Sequence, residues 1–247
     1  MLPLADNLPR RGPAPVTVLL VVVNAAVFLF LAVQPEREIE RLFQIYGVVP
    51  ARLHPDWSGP RGPFGLAALP FFTSQFLHAG WLHVIVNMWT LAIFGRGVEW
   101  RMGSARFLVF YLLVGALSGA VHAYVNRLSL VPAVGASGAI AGVMGAYLAL
   151  FPRARLMMVF PIFFYPLFLP ISAVLYILYW FFLQIYSGTL ALADPGAAGD
   201  VAWWAHIGGF VAGLLLVAFF TPPKRRERSV AYEVWDPARR RWRPLDL

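Results

Sequence analysis

Six stretches of the chain carry apolar residues almost without interruption, near 15–34, 79–95, 107–125, 133–151, 168–186 and 201–220. Most approach the ~20 residues that take an α-helix across the hydrocarbon core of a bilayer; the run near 79–95 is shorter and begins with polar residues. Lipid offers backbone amides no hydrogen-bond partners, so each run is expected to satisfy its own as helix. The chain is 60% hydrophobic and 13% charged, against about 25% charged in soluble domains. The expected fold is an all-α polytopic membrane protein. A six-transmembrane-helix bundle would occupy residues 15–220, between a cytoplasmic segment 1–14 and a basic cytoplasmic tail 221–247. The stretch PRARLMMVFPIFFYPLFLPI at 152–171 has prolines at 161, 166 and 170, which argue against one straight helix. It reads as an interfacial approach to the fifth span and not as a seventh.

The basic residues orient this bundle. With a cytoplasmic N-terminus, fifteen of the twenty Lys and Arg face the cytoplasm and five (Arg37, Arg41, Arg52, Arg61 and Arg127) lie outside, the asymmetry that positive-inside topology requires. The excess of +8 charges is thereby explained without a nucleic-acid partner, and KRRERS in the tail suits contact with anionic membrane lipids. The first apolar run is too long for a signal-peptide core and lacks a clear cut site, so it reads as a retained span. No cysteine is present, which excludes disulfides and thiolate metal sites.

In this topology the second, fourth and sixth helices run from outside to inside. Ser137 is expected about four residues into the fourth, His206 about five into the sixth, and His83 and Asn87 in the first turns of the second. At 1.5 Å per residue all fall roughly 5–12 Å below the outer helix ends. Polar groups inside a membrane are costly and usually face the bundle interior. His83, Asn87 and Thr90 share one helical face, and Gly135, Gly138, Gly142 and Gly145 form a seam without side chains. Gly209 and Gly213 lie on the face of His206. Small residues let transmembrane backbones approach closely, so Ser137 and His206 could meet across that seam. A serine hydroxyl becomes a nucleophile when a neighbouring histidine accepts its proton. The oxyanion then formed needs preorganised donors, which His83, Asn87 and backbone amides near Gly135 and Ser137 could supply. The apolar runs hold no Asp or Glu, so a Ser–His dyad is the most they offer.

HAGWLHVIVN at 78–87, GASG at 135–138 and AHIGGFVAG at 205–213 resemble the three signatures of rhomboid intramembrane serine proteases, in the order and on the helices where that family has them. The resemblance covers roughly residues 15–220. It implies Ser137 as nucleophile and His206 as general base, with His83, Asn87 and the Ser137 amide lining an oxyanion hole. Gly135 would let the chain approach the substrate, His78 would hold the outer end of the second helix, and Gly138, Gly209 and Gly213 would support the packing. Substrates would be single-pass transmembrane proteins, reaching the site laterally past the fifth helix, where Trp180, Phe181 and Phe182 are gate candidates. No cofactor or metal is implied. The chain departs from many relatives in having Ala141 where an aromatic stacks on the histidine, and in separating Trp57 from Arg61.

Other readings fit the residues less well. A transporter would suit six spans with internal polar groups, but the apolar runs hold no charge to relay ions. A metal site built from His78, His83, His122 and His206 would lack carboxylate or thiolate company. An inactive relative that binds membrane clients would not need Ser137 and His206 intact. His122 reads as a packing residue, His54 as a loop residue, Asn24 as an interhelical hydrogen bond and Glu99 as a loop ion pair or helix-end contact. The GxxxG repeats at 115–119, 138–142 and 209–213 read as bundle-building. Arginine outnumbers lysine nineteen to one, which hints at a GC-rich genome and a bacterial plasma membrane.

Overall fold

Where an apolar run stops, its helix need not. The computed structural model describes residues 2–9, 12–59, 66–162, 165–193, 201–223, 233–236, 239 and 241–244. Its helices are α1 (Pro15–Ala32), α2 (Glu36–Tyr46), α3 (Pro70–Thr73), α4 (Trp81–Met102), α5 (Ser104–Val125), α6 (Ser137–Leu150), α7 (Ala173–Ala193) and α8 (Trp203–Phe220). α4 continues seven residues past its apolar run and takes Arg96, Glu99 and Arg101 into the helix. The apolar run itself holds no carboxylate, and Glu99 enters the helix with the extension beyond that run.

Of the two readings of Glu99, the structure shows the helix-end contact, and among the described residues it makes no ion pair. Its side chain is buried, and its carboxylate accepts from the amides of Val16 (3.0 Å) and Thr17 (2.7 Å), the Thr17 hydroxyl (2.7 Å) and the Ser104 hydroxyl (2.7 Å). The first amides of a helix have no internal partner, and negative charge is favourable there. Glu99 caps α1 from a neighbouring helix and pins the α4–α5 corner, where Gly103 turns with φ +85°.

Among the described residues, α1, α5, α7 and α8 are long and apolar enough to cross a membrane. The segment Pro70–Phe76 meets α4 at 97°, and the two qualify only as a bent pair. α6 has 14 residues, about 21 Å at helical rise. Of the six crossings expected from hydropathy, four helices are long and apolar enough singly, a fifth qualifies as a bent pair, and α6 is shorter. Outward faces remain apolar, with Leu19, Val22 and Phe30 of α1, Leu175 and Phe182 of α7, and Leu215 and Phe219 of α8 exposed. Such surfaces suit lipid contact, and the chain is read as a multi-pass membrane protein.

The architecture is mostly helical but not all-α. Strands β1 (Leu2–Asp6), β2 (Arg155–Ile162) and β3 (Tyr165–Ser172) form an antiparallel sheet in the order β1-β2-β3. The segment 152–171 is no seventh span, as anticipated, yet it is a hairpin with Pro161 opposite Pro166. Proline removes the helical amide donor, and the extended backbone leaves each strand a neighbour to pair with. The fifth long helix accordingly begins at Ala173 and not near 168. β1 is held to the bundle by the Trp89 indole, which donates to the Pro3 carbonyl (2.6 Å), and by the Tyr147 hydroxyl, which donates to Asp6 (2.8 Å). β4 (Glu233–Asp236) and β5 (Arg241–Pro244) form a second hairpin, with Trp235 and Trp242 packed edge to face at 5.5 Å. Asn7 joins this hairpin to the N-terminal segment through two hydrogen bonds with Glu233. Arg10, Arg11, Arg61 and KRRERS lie outside the described residues. Asn24 is corrected as well: its amide donates to Leu20 in its own helix at 2.8 Å.

The centre of the bundle is α6, buried continuously from Gly138 to Tyr147 and packed against α4, α5 and α8. A helix apolar on all sides belongs in such a place. Its contact with α8 is backbone on backbone. A Cβ on Gly209 would collide with the Gly138 carbonyl, one on Gly213 with the Gly142 carbonyl, and one on Gly145 with the Phe210 carbonyl. The pairing 138 with 209 and 142 with 213 makes the helices parallel. Gly213→Val is expected to lower stability by about 1–3 kcal/mol or more, the range for forced overpacking. Gly80→Ala, with open space around the new Cβ, should change it little. Thermal unfolding in detergent of both variants checks this.

Candidate functional site

At the N-terminal ends of α4, α6 and α8 the polar residues converge. Ser137 is the first residue of α6, not the fifth, because GASG lies in the loop that leads into the helix. His206 is the fourth residue of α8, and the close parallel packing of α6 and α8 sets the two side chains face to face. Ser137 Oγ lies 2.8 Å from His206 Nε2. Both residues are half-buried, so the pair is reachable from outside the bundle.

Gly135 shapes the space beside Ser137. Its φ of +129° is a conformation that L side chains rarely adopt. A Cβ there would lie 2.8 Å from His83 Nε2 and 3.6 Å from Ser137 Oγ, so the histidine and the serine face the same small volume above its α-carbon. The Gly135 amide donates to the Ser74 carbonyl at 2.9 Å, which anchors the loop to the bent segment before α4. As the start of a helix, Ser137 and the residues after it present amides with no intrahelical acceptor, and the helix dipole favours negative charge there.

Asn87, buried on α4, donates from its side-chain amide to His78 Nε2 at 3.0 Å. His78 is buried too, and its ring meets His83 edge to face at 5.0 Å. His78 thus ties the loop before α4 to that helix and keeps Asn87 in place. Thr90 drops out of the expected polar stripe, because its hydroxyl turns back to the Val86 carbonyl at 2.7 Å. Gly138, Gly209 and Gly213 belong to the α6–α8 contact. His122 of α5 lies 3.3 Å through Nδ1 from the side-chain amide of Asn126, the residue just past the end of that helix. His54, in the loop after α2, lies 3.5 Å from Asp56.

The aromatics of α7 divide by face. Trp180 lies 5.9 Å from the His206 ring and Phe181 stacks on Phe210 at 4.2 Å, so both turn toward α8. Residues at i, i+1 and i+4 share a side of a helix, and Gln184 follows on that side. Phe182 alone of the three gate candidates points outward, 62% exposed.

Two contacts were not anticipated. Gln184 Oε1 lies 2.8 Å from His206 Nδ1, and the ring has Trp180 and Trp203 about it. These surround the histidine where Ala141 supplies no ring. The only signal was a lone amide in an otherwise apolar run, itself a mark of interest inside a membrane. Ser118 of α5 is the second: a Cβ on Gly138 would collide with its hydroxyl, so it packs directly beneath the site. Among the described residues no cluster of three His, Asp or Glu is placed to hold a metal ion.

Residues 67–223 match the model of the Rhomboid domain family. The chain is 29% identical over 167 residues to Rhomboid protein 1, mitochondrial, of Saccharomyces cerevisiae, covering 63% of this chain and 43% of that one. It is 28% identical over 180 residues to Presenilin-associated rhomboid-like protein A, mitochondrial, of Danio rerio, covering 69% and 42% respectively. RHOMBOID-like protein 1 of Arabidopsis thaliana is 30% identical over 145 residues, covering 59% of this chain and 32% of that one. The chain spans less than half the length of these curated relatives.

A substitution at Gly135 tests how tightly the site is built. Gly135→Ala combines a forbidden φ with a Cβ pressed on the His83 ring. It is expected to lower the unfolding temperature in detergent, whereas His54→Ala, in a loop remote from these contacts, should leave it unchanged.

Proposed function

The chain belongs to the rhomboid family, and from that premise we propose that it is an intramembrane serine endopeptidase, cleaving transmembrane segments of single-pass membrane proteins in or near the outer leaflet. The observation that carries this reading is the 2.8 Å approach of Ser137 Oγ to His206 Nε2. That distance suits direct proton transfer between nucleophile and base.

In the proposed reaction His206 Nε2 accepts the proton of Ser137 as Oγ attacks the scissile carbonyl carbon. The carbonyl π bond opens and its electron pair rests on oxygen. That oxyanion would lie toward the Ser137 amide, His83 and Asn87, over Gly135, where donors fixed in advance stabilise developing charge. Collapse of the tetrahedral intermediate breaks the C–N bond, and His206 returns its proton to the leaving amine. Water then repeats the cycle: it attacks the acyl-serine carbonyl, gives a proton to His206, and the Ser137 oxygen leaves and is reprotonated. No cofactor is required at any step.

The family assignment and the exposed apolar helix faces support a membrane setting for the proposed reaction. The names of the yeast and zebrafish relatives refer to mitochondria, which does not fit the bacterial plasma membrane suggested by arginine usage. The proposal therefore extends to a membrane-embedded enzyme and to no particular compartment.

A serine-reactive fluorophosphonate is expected to label the detergent-purified protein at Ser137. Labelling should disappear in Ser137→Ala and fall by about 10²-fold or more in His206→Ala, the range for losing general-base assistance. Cleavage of a generic single-pass substrate should follow the same order. Ser137→Ala cleaving at the native rate would overturn the proposal.

A further inference from the structure

Gln184 is 5% exposed and is an amide among the apolar residues of α7. Both ends of that amide are engaged. Nε2 donates to the Trp180 carbonyl one turn earlier at 3.1 Å, and Oε1 lies 2.8 Å from His206 Nδ1. The first bond fixes which end of the amide is oxygen, since only the nitrogen can donate. An amide oxygen can only accept, so the bond to His206 requires the proton on Nδ1. Nε2 then carries a lone pair, and that lone pair faces the Ser137 hydroxyl at 2.8 Å. The ring is anchored at both nitrogens, with the Trp180 ring 5.9 Å away at 36° and Trp203 at 87°.

We infer that Gln184 is a positioning residue for the reaction proposed above: by accepting from Nδ1 it holds His206 in the tautomer and orientation in which Nε2 takes the serine proton. The inference rests on the protease reading. It assigns to a neutral amide the orienting task that a carboxylate performs in a Ser-His-Asp triad. The two differ in charge: the amide aligns the ring but stabilises its positive charge far less than a carboxylate would. The titratable side chains that bear on that ring, His83 of α4 and His122 of α5, are imidazoles themselves and provide no compensating negative charge. His206 is thereby tied to α7 as well as to its own helix, and Ala141, which presents no ring, leaves the task to this contact.

A purely architectural role, tying α7 to α8, would make Gln184 variants less stable but would leave the pH dependence of turnover alone. The test is kcat/KM against pH for cleavage of a single-pass substrate in detergent or liposomes, with wild type, Ser137→Ala, Gln184→Glu and Gln184→Leu. Wild type should cleave and Ser137→Ala should not; if wild type is inactive, the protease reading and this inference fall together. Given active wild type, Gln184→Glu should fold and cleave, because its carboxylate can still accept from Nδ1. Its acidic limb should move to higher pH by about one unit or more, since a carboxylate stabilises the protonated ring. Gln184→Leu should lose about 10–100-fold in kcat, as when an orienting partner is removed from a histidine, with KM little changed. An unmoved acidic limb in Gln184→Glu, or wild-type kcat in Gln184→Leu, overturns the inference while leaving the protease reading intact. Should Gln184→Leu fail to fold, the limb in Gln184→Glu decides.

Discussion

α6 and α8 touch through their backbones, and the other features of the site depend on that contact. Gly138, Gly142 and Gly145 on one helix face Gly209, Gly213 and the Phe210 carbonyl on the other, at separations that leave no room for a Cβ. Within lipid, helices gain little from burying apolar surface against one another, so close van der Waals packing between small residues becomes a main source of association. The same closeness has a chemical result. Ser137 and His206 have short reach, and only helices nearly in contact, running parallel and in this register, bring an alcohol and an imidazole to 2.8 Å.

Around that contact the remaining polar groups are secured from several directions. Gly135, locked to Ser74 through its amide, opens the volume that His83 overlooks. His78 holds Asn87 from the loop side, and Gln184 reaches His206 from α7. Buried polar groups need partners, and here the partners come mostly from other parts of the chain. At the far end of α4, Glu99 does for the α1 terminus what these residues do for the site, collecting donors from two other helices, α1 and α5. α4, which carries His83 and Asn87, is thus hydrogen-bonded to other parts of the chain at both ends.

What could be read from the sequence followed from pattern. GASG, AHIGGFVAG and HAGWLHVIVN announce themselves because their chemistry needs given residue types at given spacings, and the structure brings Ser137, His206, Gly135 and His83 together. The glycine repeats were legible as packing faces for the same reason. Boundaries were less so. Glu99 reads from sequence as either a loop ion pair or a helix-end contact because hydropathy marks the end of an apolar run, whereas a helix ends where its hydrogen bonding ends. The sheet of β1, β2 and β3 was missed because its middle strand draws on a partner more than 150 residues earlier, a pairing to which local composition is blind. Gln184 escaped notice because one amide in an apolar helix acquires meaning only when the helix that faces it is known. Trp180, Phe181 and Phe182 read together as gate candidates, since a run of aromatics does not disclose which of its members turns toward α8.

The central claim is that Ser137 and His206 act on a substrate carbonyl whose oxygen lies toward His83, Asn87 and the Ser137 amide. An experimental structure of the protein inactivated by a peptidyl phosphonate tests it most directly. The account predicts a covalent bond from Ser137 Oγ to phosphorus, the phosphonyl oxygen within hydrogen-bond distance of the Ser137 amide and of His83 or Asn87, and the His206 ring still beside the serine. A phosphonate attached elsewhere, or an oxygen turned away from those donors with His206 withdrawn, would contradict it.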